Sequence, residues 1–214
     1  MKLLGDGPRS AADFMPANPT LPRLKQAADT CKGCDLYKRA TQTVFGEGPE
    51  DARVIFVGEQ PGDYEDRAGR PFVGPAGRVL DKALVEVGID RTEVYVTNAV
   101  KHFKWEPMGK RRKHKKPLAS EIKACRPWLE AEIALIRPEV VVCLGHTAAQ
   151  GAFGRPIRLG DERGRFRQFG NTSLFVTIHP SAILRFPEPE EQEREYARFV
   201  DDLRLVAAEL RRKE

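Results

Sequence analysis

Four short apolar runs punctuate the chain. They are Val54-Ile55-Phe56-Val57 before Gly58, the stretch from Val94 to Val100, Val140-Val141-Val142-Cys143-Leu144 before Gly145, and Ser173 to Ile178 before His179. Runs of this length without polar alternation predict strands buried on both faces. Between them apolar residues recur at helical spacing: Val79, Leu80, Ala83, Leu84 and Val87, then Ile122, Cys125, Leu129, Ile133 and Ile136 behind Ser120 and Glu121. Pro138 ends that second helix. A short helix from Thr147 to Phe153 comes after the third strand. A Pro/Glu-rich segment, 187 to 194, leads into a final helix through Phe199, Leu203, Val206 and Leu210. Leu21 to Ala28 predicts one or two further helical turns, and the charged stretch between Gly160 and Gly170 a hairpin or exposed turn.

Strands alternating with helices predict an α/β fold whose parallel strands are joined by right-handed crossovers. A parallel sheet gathers the residues just past each strand at one rim, where such folds bind their ligands. Glu59, Asn98 with His102, Gly145 and His179 all stand at that position. Residues 1–20, rich in Pro, Ala, Asp and Asn without period, predict a flexible amino-terminal arm, and 21–214 a single domain.

Charge changes the picture locally. The formal net charge is +5 and the pI about 9.1. Much of the excess sits between Lys101 and Lys116, where eight Lys and Arg residues face one acid, Glu106. That loop is either a solvated lysine-rich surface or a positive field suited to a phosphate backbone. No stretch of 18 apolar residues occurs, so a soluble, cytoplasmic protein without a membrane partner is expected.

Three places carry candidate chemistry. In the first, Gly58-Glu59-Gln60-Pro61-Gly62 sets a carboxylate and an amide at a strand end. Gly74-Pro75-Ala76-Gly77 then opens a helix whose first-turn N–H groups are free for an anion. In the second, Cys31-x-x-Cys34 offers two thiolates to one soft metal. Cys143 lies within an apolar strand and reads as core, whereas His102 stands just past a strand end and suits a ligand role better. Spacing alone leaves zinc, an iron-sulfur cluster and buried thiols open. In the third, His114 closes Lys110-Arg111-Arg112-Lys113-His114, either as a nucleophile kept neutral by neighbouring cations or as a phosphate donor. His179 stands in His179-Pro180-Ser181, where the proline restricts its backbone. His146 has no cooperating motif.

Taken together, Glu59 with Pro61-Gly62, Phe72-Val73-Gly74-Pro75, Asn98 and His179-Pro180-Ser181 resemble the uracil-DNA glycosylase superfamily, in particular its family 4-like iron-sulfur branch. The resemblance runs from about Cys31 to the final helix. Two departures, Gln60 within the GEAPG-type motif and the added Lys110-Arg111-Arg112-Lys113-His114, look like the UdgX subgroup; Lys113 replaces the isoleucine of its KRRIH pattern.

This likeness implies a single-domain three-layer αβα fold with a mainly parallel sheet. It implies a [4Fe-4S] cluster of structural role on Cys31, Cys34, His102 and Cys125. It also implies excision of uracil, particularly from single-stranded DNA associated with a bacterial genome, without an obligatory protein partner. Phe72 would stack on uracil, Asn98 would read its edge, and Gln60 and Ser181 would help frame it. His179 would stabilise the departing base, and Glu59 would support the nucleophile. His114 would bond to C1′ of the deoxyribose, where a conventional glycosylase uses water. Lys110, Arg111, Arg112, Lys113 and Arg185 would hold the DNA backbone. The competing readings are a conventional multiple-turnover glycosylase that uses water and a non-enzymatic iron-sulfur DNA-binding module.

Overall fold

A computed structural model describes residues 10–212. Of the amino-terminal stretch, residues 1 to 9 lie outside the described residues. Ala11–Phe14 forms a 3-10 turn capped by the Ser10 side chain, with Ala11 buried among Leu24, Ala28 and Trp128. Helix α1 spans Leu21–Ala28, and a second 3-10 turn spans Asp35–Lys38. Then come β1 (Val54–Gly58), α2 (Asp63–Ala68), α3 (Pro75–Val87), a 3-10 turn at Arg91–Glu93, β2 (Tyr95–Asn98), β3 (Trp105–Met108) and β4 (Arg111–His114). The chain continues through α4 (Ala119–Ile136), β5 (Val140–Leu144), α5 (His146–Phe153), α6 (Leu159–Glu162), β6 (Phe166–Phe169), β7 (Thr172–Thr177), α7 (Pro180–Ile183) and α8 (Pro189–Arg212).

The main sheet has the order β2-β1-β5-β7-β6. Strand β1 pairs in parallel with β2 and β5, and β5 with β7; only β6 runs antiparallel, closing the expected hairpin against β7. Alternate side chains of each buried strand enter opposite layers. Val54, Phe56, Val140 and Val142 pack with Leu80 and Leu84 of α3 and Leu203 and Val206 of α8. Ile55, Val57, Val141 and Cys143 pack instead with Leu129 of α4 and Ala148 and Ala149 of α5. This is the expected three-layer αβα arrangement. Among the described residues no helix is long and apolar enough to cross a membrane.

Three local features differ from the expectation. The basic loop is an antiparallel hairpin, with Trp105 opposite His114 and Met108 opposite Arg111 across a turn at Gly109, whose φ of +59° favours glycine. Asp63–Ala68 is helical although it carries no apolar period. Lys101, one of the eight cations of the basic run, is wholly buried.

Candidate active site

The carboxyl ends of β1, β2, β5 and β7 open into one cleft of about 520 Å³, within the size range of small-ligand sites. A cleft of about 540 Å³ at the opposite end of the sheet contains none of the predicted residues. Gly58 and Asn98 are register partners on neighbouring strands. A Cβ on Gly58 would meet Asn98 Oδ1 at 2.3 Å and Phe72 Cζ at 2.8 Å, so only a bare backbone lets the amide and the ring close over the strand end. Asn98 is 3% exposed, and its amide faces the cleft without a hydrogen-bond partner among the described residues. Phe72 holds a left-handed backbone, φ +56°, an uncommon conformation for an aromatic residue. Gly77 packs directly on its carbonyl, where any side chain would clash.

Glu65, on α2, ties the two glycine loops together. Its carboxylate accepts the Gly62 N–H at 3.0 Å and the Gly74 N–H at 2.8 Å, joining the Gln60 loop to the Phe72 loop across the cleft. Glu59 lies beyond β1, where Thr147 Oγ1 at the start of α5 donates to its Oε2 at 2.6 Å. That helix start also favours the negative charge.

His179 caps α7. The Ser181 N–H donates to its Nδ1 at 3.1 Å, and the Ser181 hydroxyl lies 2.8 Å from the same nitrogen. The Nδ1 lone pair is therefore occupied, and in the neutral ring the proton resides on Nε2. Loss of hydration, helped by Arg185 and His114, pushes His179 down to about 4, so the ring is neutral at pH 7. Its ring stacks at 6.3 Å on Phe72. Arg185 donates to the Ser181 hydroxyl at 2.8 Å and reaches the same cleft.

The hairpin brings His114 to the opposite wall. Gln60 accepts the Lys104 N–H through Oε1 at 3.0 Å, so its Nε2 is the donor end. That donor meets Lys115 O at 3.0 Å and His114 Nε2 at 2.8 Å. His114 Nε2 thus carries the lone pair, 3.5 Å from Glu59 Oε1. The imidazole is 49% exposed and rests 5.9 Å from the Phe103 ring. Desolvation and, more weakly, Arg185 lower its pKa against the opposing pull of Glu59, favouring the neutral ring.

The basic residues divide. Lys110, Arg111 and Lys113 are exposed. Arg112 turns under the hairpin, its side chain 14% exposed. Its guanidinium pairs with Asp63, bonds Asp66 at 2.6 Å and Thr41 at 3.0 Å, and lies against the rings of Phe103 and Trp105. Sequence reasoning missed Asp63, Asp66, Glu65 and Thr147; the run Asp63-Tyr64-Glu65-Asp66 was the available signal, since buried acids require partners.

The predicted metal centre is corrected. Among the described residues no group of three or more His, Cys, Asp or Glu side chains could hold a metal ion, so the [4Fe-4S] expectation on Cys31, Cys34, His102 and Cys125 is overturned. All four have protein partners instead, Cys34 a backbone hydrogen bond from Leu36. His102 Nε2 bonds Thr43 Oγ1 at 2.9 Å, Trp128 Nε1–H donates to Cys31 Sγ at 3.4 Å, and the Lys101 N–H donates to Cys125 Sγ at 3.3 Å. Burial pushes His102 down to about 4, the Cys125 thiol up to about 12 and Cys34 upward, the behaviour of groups packed in an apolar setting. All four cysteines are free, and Cys143 is buried in β5 as expected.

A family model described as the uracil DNA glycosylase superfamily matches residues 45–204. The type-4 uracil-DNA glycosylase of Thermotoga maritima is 40% identical over 164 residues, 76% of this chain and 82% of the relative. That of Pyrobaculum aerophilum is 37% identical over 175 residues, 78% of this chain and 86% of the relative. That of Archaeoglobus fulgidus is 36% identical over 171 residues, covering 76% and 82%.

Proposed function

The chain belongs to the uracil-DNA glycosylase superfamily, and from that premise we propose that it excises uracil from DNA, single-stranded DNA by preference, and captures the abasic sugar on His114. Extrusion of a base costs least when it is already unpaired. The reading groups the chain with UdgX-type members, on the strength of Gln60 and the Lys110–His114 insertion. One observation carries it: the lone-pair nitrogen of a histidine that desolvation keeps neutral stands 3.5 Å from the Glu59 carboxylate, across the cleft from Asn98 and His179.

In this reading uracil stacks on Phe72 and offers its carbonyl and N–H edge to the unpartnered Asn98 amide. The C1′–N1 bond breaks with its electron pair on uracil N1. The neutral His179 donates its Nε2–H to the anionic base, stabilising charge that develops only in the transition state. Glu59, held by Thr147, faces the cationic sugar. The His114 Nε2 lone pair forms the new bond to C1′; the imidazolium then loses its Nδ1 proton to solvent, and uracil gains one at N1. Gln60 orients this nucleophile rather than the base. Lys110, Arg111, Lys113 and Arg185 contact phosphates, whereas Arg112 anchors the hairpin.

Mixing the protein with a uracil-bearing single-stranded oligonucleotide and resolving the products on a denaturing gel tests the proposal. The expected result is a protein–DNA band that survives denaturation. Free abasic product without that band contradicts capture, and neither product contradicts glycosylase activity.

A further inference from the structure

Beneath the cleft lies an ion pair that the proposed chemistry does not use. Lys101 Nζ and Glu132 Oε2 are 2.6 Å apart, with side chains 1% and 0% exposed. All three ammonium hydrogens are satisfied: by Glu132, by Thr97 Oγ1 at 2.6 Å and by the backbone carbonyl of Asn98 at 2.9 Å. The carboxylate is equally occupied. Its Oε1 accepts from Tyr95 OH and Thr97 Oγ1 at 2.9 Å and from the Gly46 N–H at 3.2 Å. A side chain on Gly46 would strike Tyr95 OH at 2.2 Å and Glu132 Oε1 at 2.3 Å, so the chain is glycine where it crosses the pair.

Burying two charges is costly, and an apolar pair of equal volume commonly stabilises a fold as well or better. The location of this pair is more telling than its energy. The lysine turns back onto the carbonyl of the residue whose amide faces the cleft. Its own backbone is fixed by the Val44 N–H on Lys101 O at 2.8 Å. The chain after β2 is likewise tied to β1, Ala99 N–H to Gly58 O at 2.9 Å and Val100 N–H to Glu59 O at 3.1 Å. The ammonium therefore holds the Asn98–Ala99 peptide plane, and with it the direction of the Asn98 side chain.

We propose that Lys101 is a positioning residue for Asn98, with Glu132 as its counter-ion, and that the pair sets the aim of the amide reading the base edge. The inference rests on the glycosylase reading. A small misplacement of a recognising group costs up to about a hundredfold in rate.

The test is Lys101→Met/Glu132→Gln, which removes both charges at nearly constant volume and keeps an amide oxygen for Tyr95, Thr97 and Gly46. Single-turnover uracil release at saturating enzyme is expected to slow by roughly tenfold or more, with affinity for uracil-free single-stranded DNA unchanged. In an Asn98→Ala background the same double change should cost little further, because both act through one amide. If the double variant fails to fold, Thr97→Val, which deprives the ammonium of one acceptor, should release uracil more slowly than Thr97→Ser, which keeps the hydroxyl. Wild-type release rates from a folded double variant, equal rates for the two Thr97 variants, or full additivity with Asn98→Ala overturns the inference. Inactive wild-type protein would instead defeat the glycosylase reading on which it rests.

Discussion

The two walls of the cleft are built differently. Phe72, Asn98 and His179 stand on or beside strands and helices whose apolar faces are fully buried, each such side chain contributing about 1.5–3 kcal/mol to the frame. His114 arrives on a two-stranded hairpin outside the main sheet, held by polar contacts: Gln60 to its backbone, Arg112 to Asp63 and Asp66, Lys104 to Glu121 at 2.8 Å, and the Trp105 indole N–H to Arg39 O at 2.9 Å. The contrast separates two tasks. In the proposed reaction the core wall extrudes and releases the base without the hairpin, and the hairpin captures nothing until the core wall has acted.

The largest expected effect tests the core wall. His179→Ala removes the group that donates to the departing base in the proposed reaction and should slow uracil release by about 10²–10³-fold, taking adduct formation down with it; quenched single-turnover assays report both. An adduct that survives while release collapses would reverse the order of the two steps.

Arg112→Ala sharpens the comparison from the other side. It deprives the wholly buried Asp66 of its cationic partner, leaving it the Thr41 N–H, and frees one end of β4, so adduct formed per uracil released should fall roughly tenfold while release itself holds. A loss of stability of about 3 kcal/mol is expected from the uncompensated carboxylate, readable as a lower melting temperature. Equal loss of release and capture would show that hairpin and core wall act as one unit.

Acidity gives a smaller, graded effect. In the proposed reaction the neutral imidazole is the nucleophile, and desolvation of His114 lowers its pKa from 6.5. Protonation, and hence loss of capture, should set in only as pH falls through that lowered value. Adduct rates measured over the acidic range should therefore reach half-maximum below pH 6.5. A midpoint at or above it would mean that the Glu59 carboxylate dominates.

The smallest effect belongs to the exposed face of the hairpin. Lys113→Ala should weaken binding to all sequences alike and reduce the slope of log affinity against log salt by about 1, leaving release at saturating DNA unchanged. A change in base preference would assign Lys113 to the base rather than to the backbone.

Strand ends were legible because burial on both faces writes continuous apolar runs, and a parallel sheet delivers the residues beyond those runs to one rim. Glu59, Asn98 and His179 were found that way. The hairpin was hidden because Arg111, Arg112, Lys113 and His114 fill β4 without an apolar face to alternate, and Pro107 interrupts β3. Lys101 read as one more cation of that run; only the fold brings Glu132, 31 residues further on, against it. Cys31 and Cys34 carried metal-like spacing and the family likeness added His102 and Cys125, yet neither reveals the Trp128 indole or the Lys101 amide that meets a sulfur. Thr147 had no signal at all, since a hydroxyl at a helix start is ordinary until a carboxylate is seen beside it.

The central claim is that the cleft ends its reaction on a histidine. Peptide mass spectrometry of the protein after reaction with a uracil-bearing oligonucleotide and nuclease digestion tests it most directly. The account predicts the deoxyribose remnant on His114, and its disappearance in His114→Ser with uracil release retained. A remnant mapped to any other side chain, or full adduct yield from His114→Ser, would contradict it.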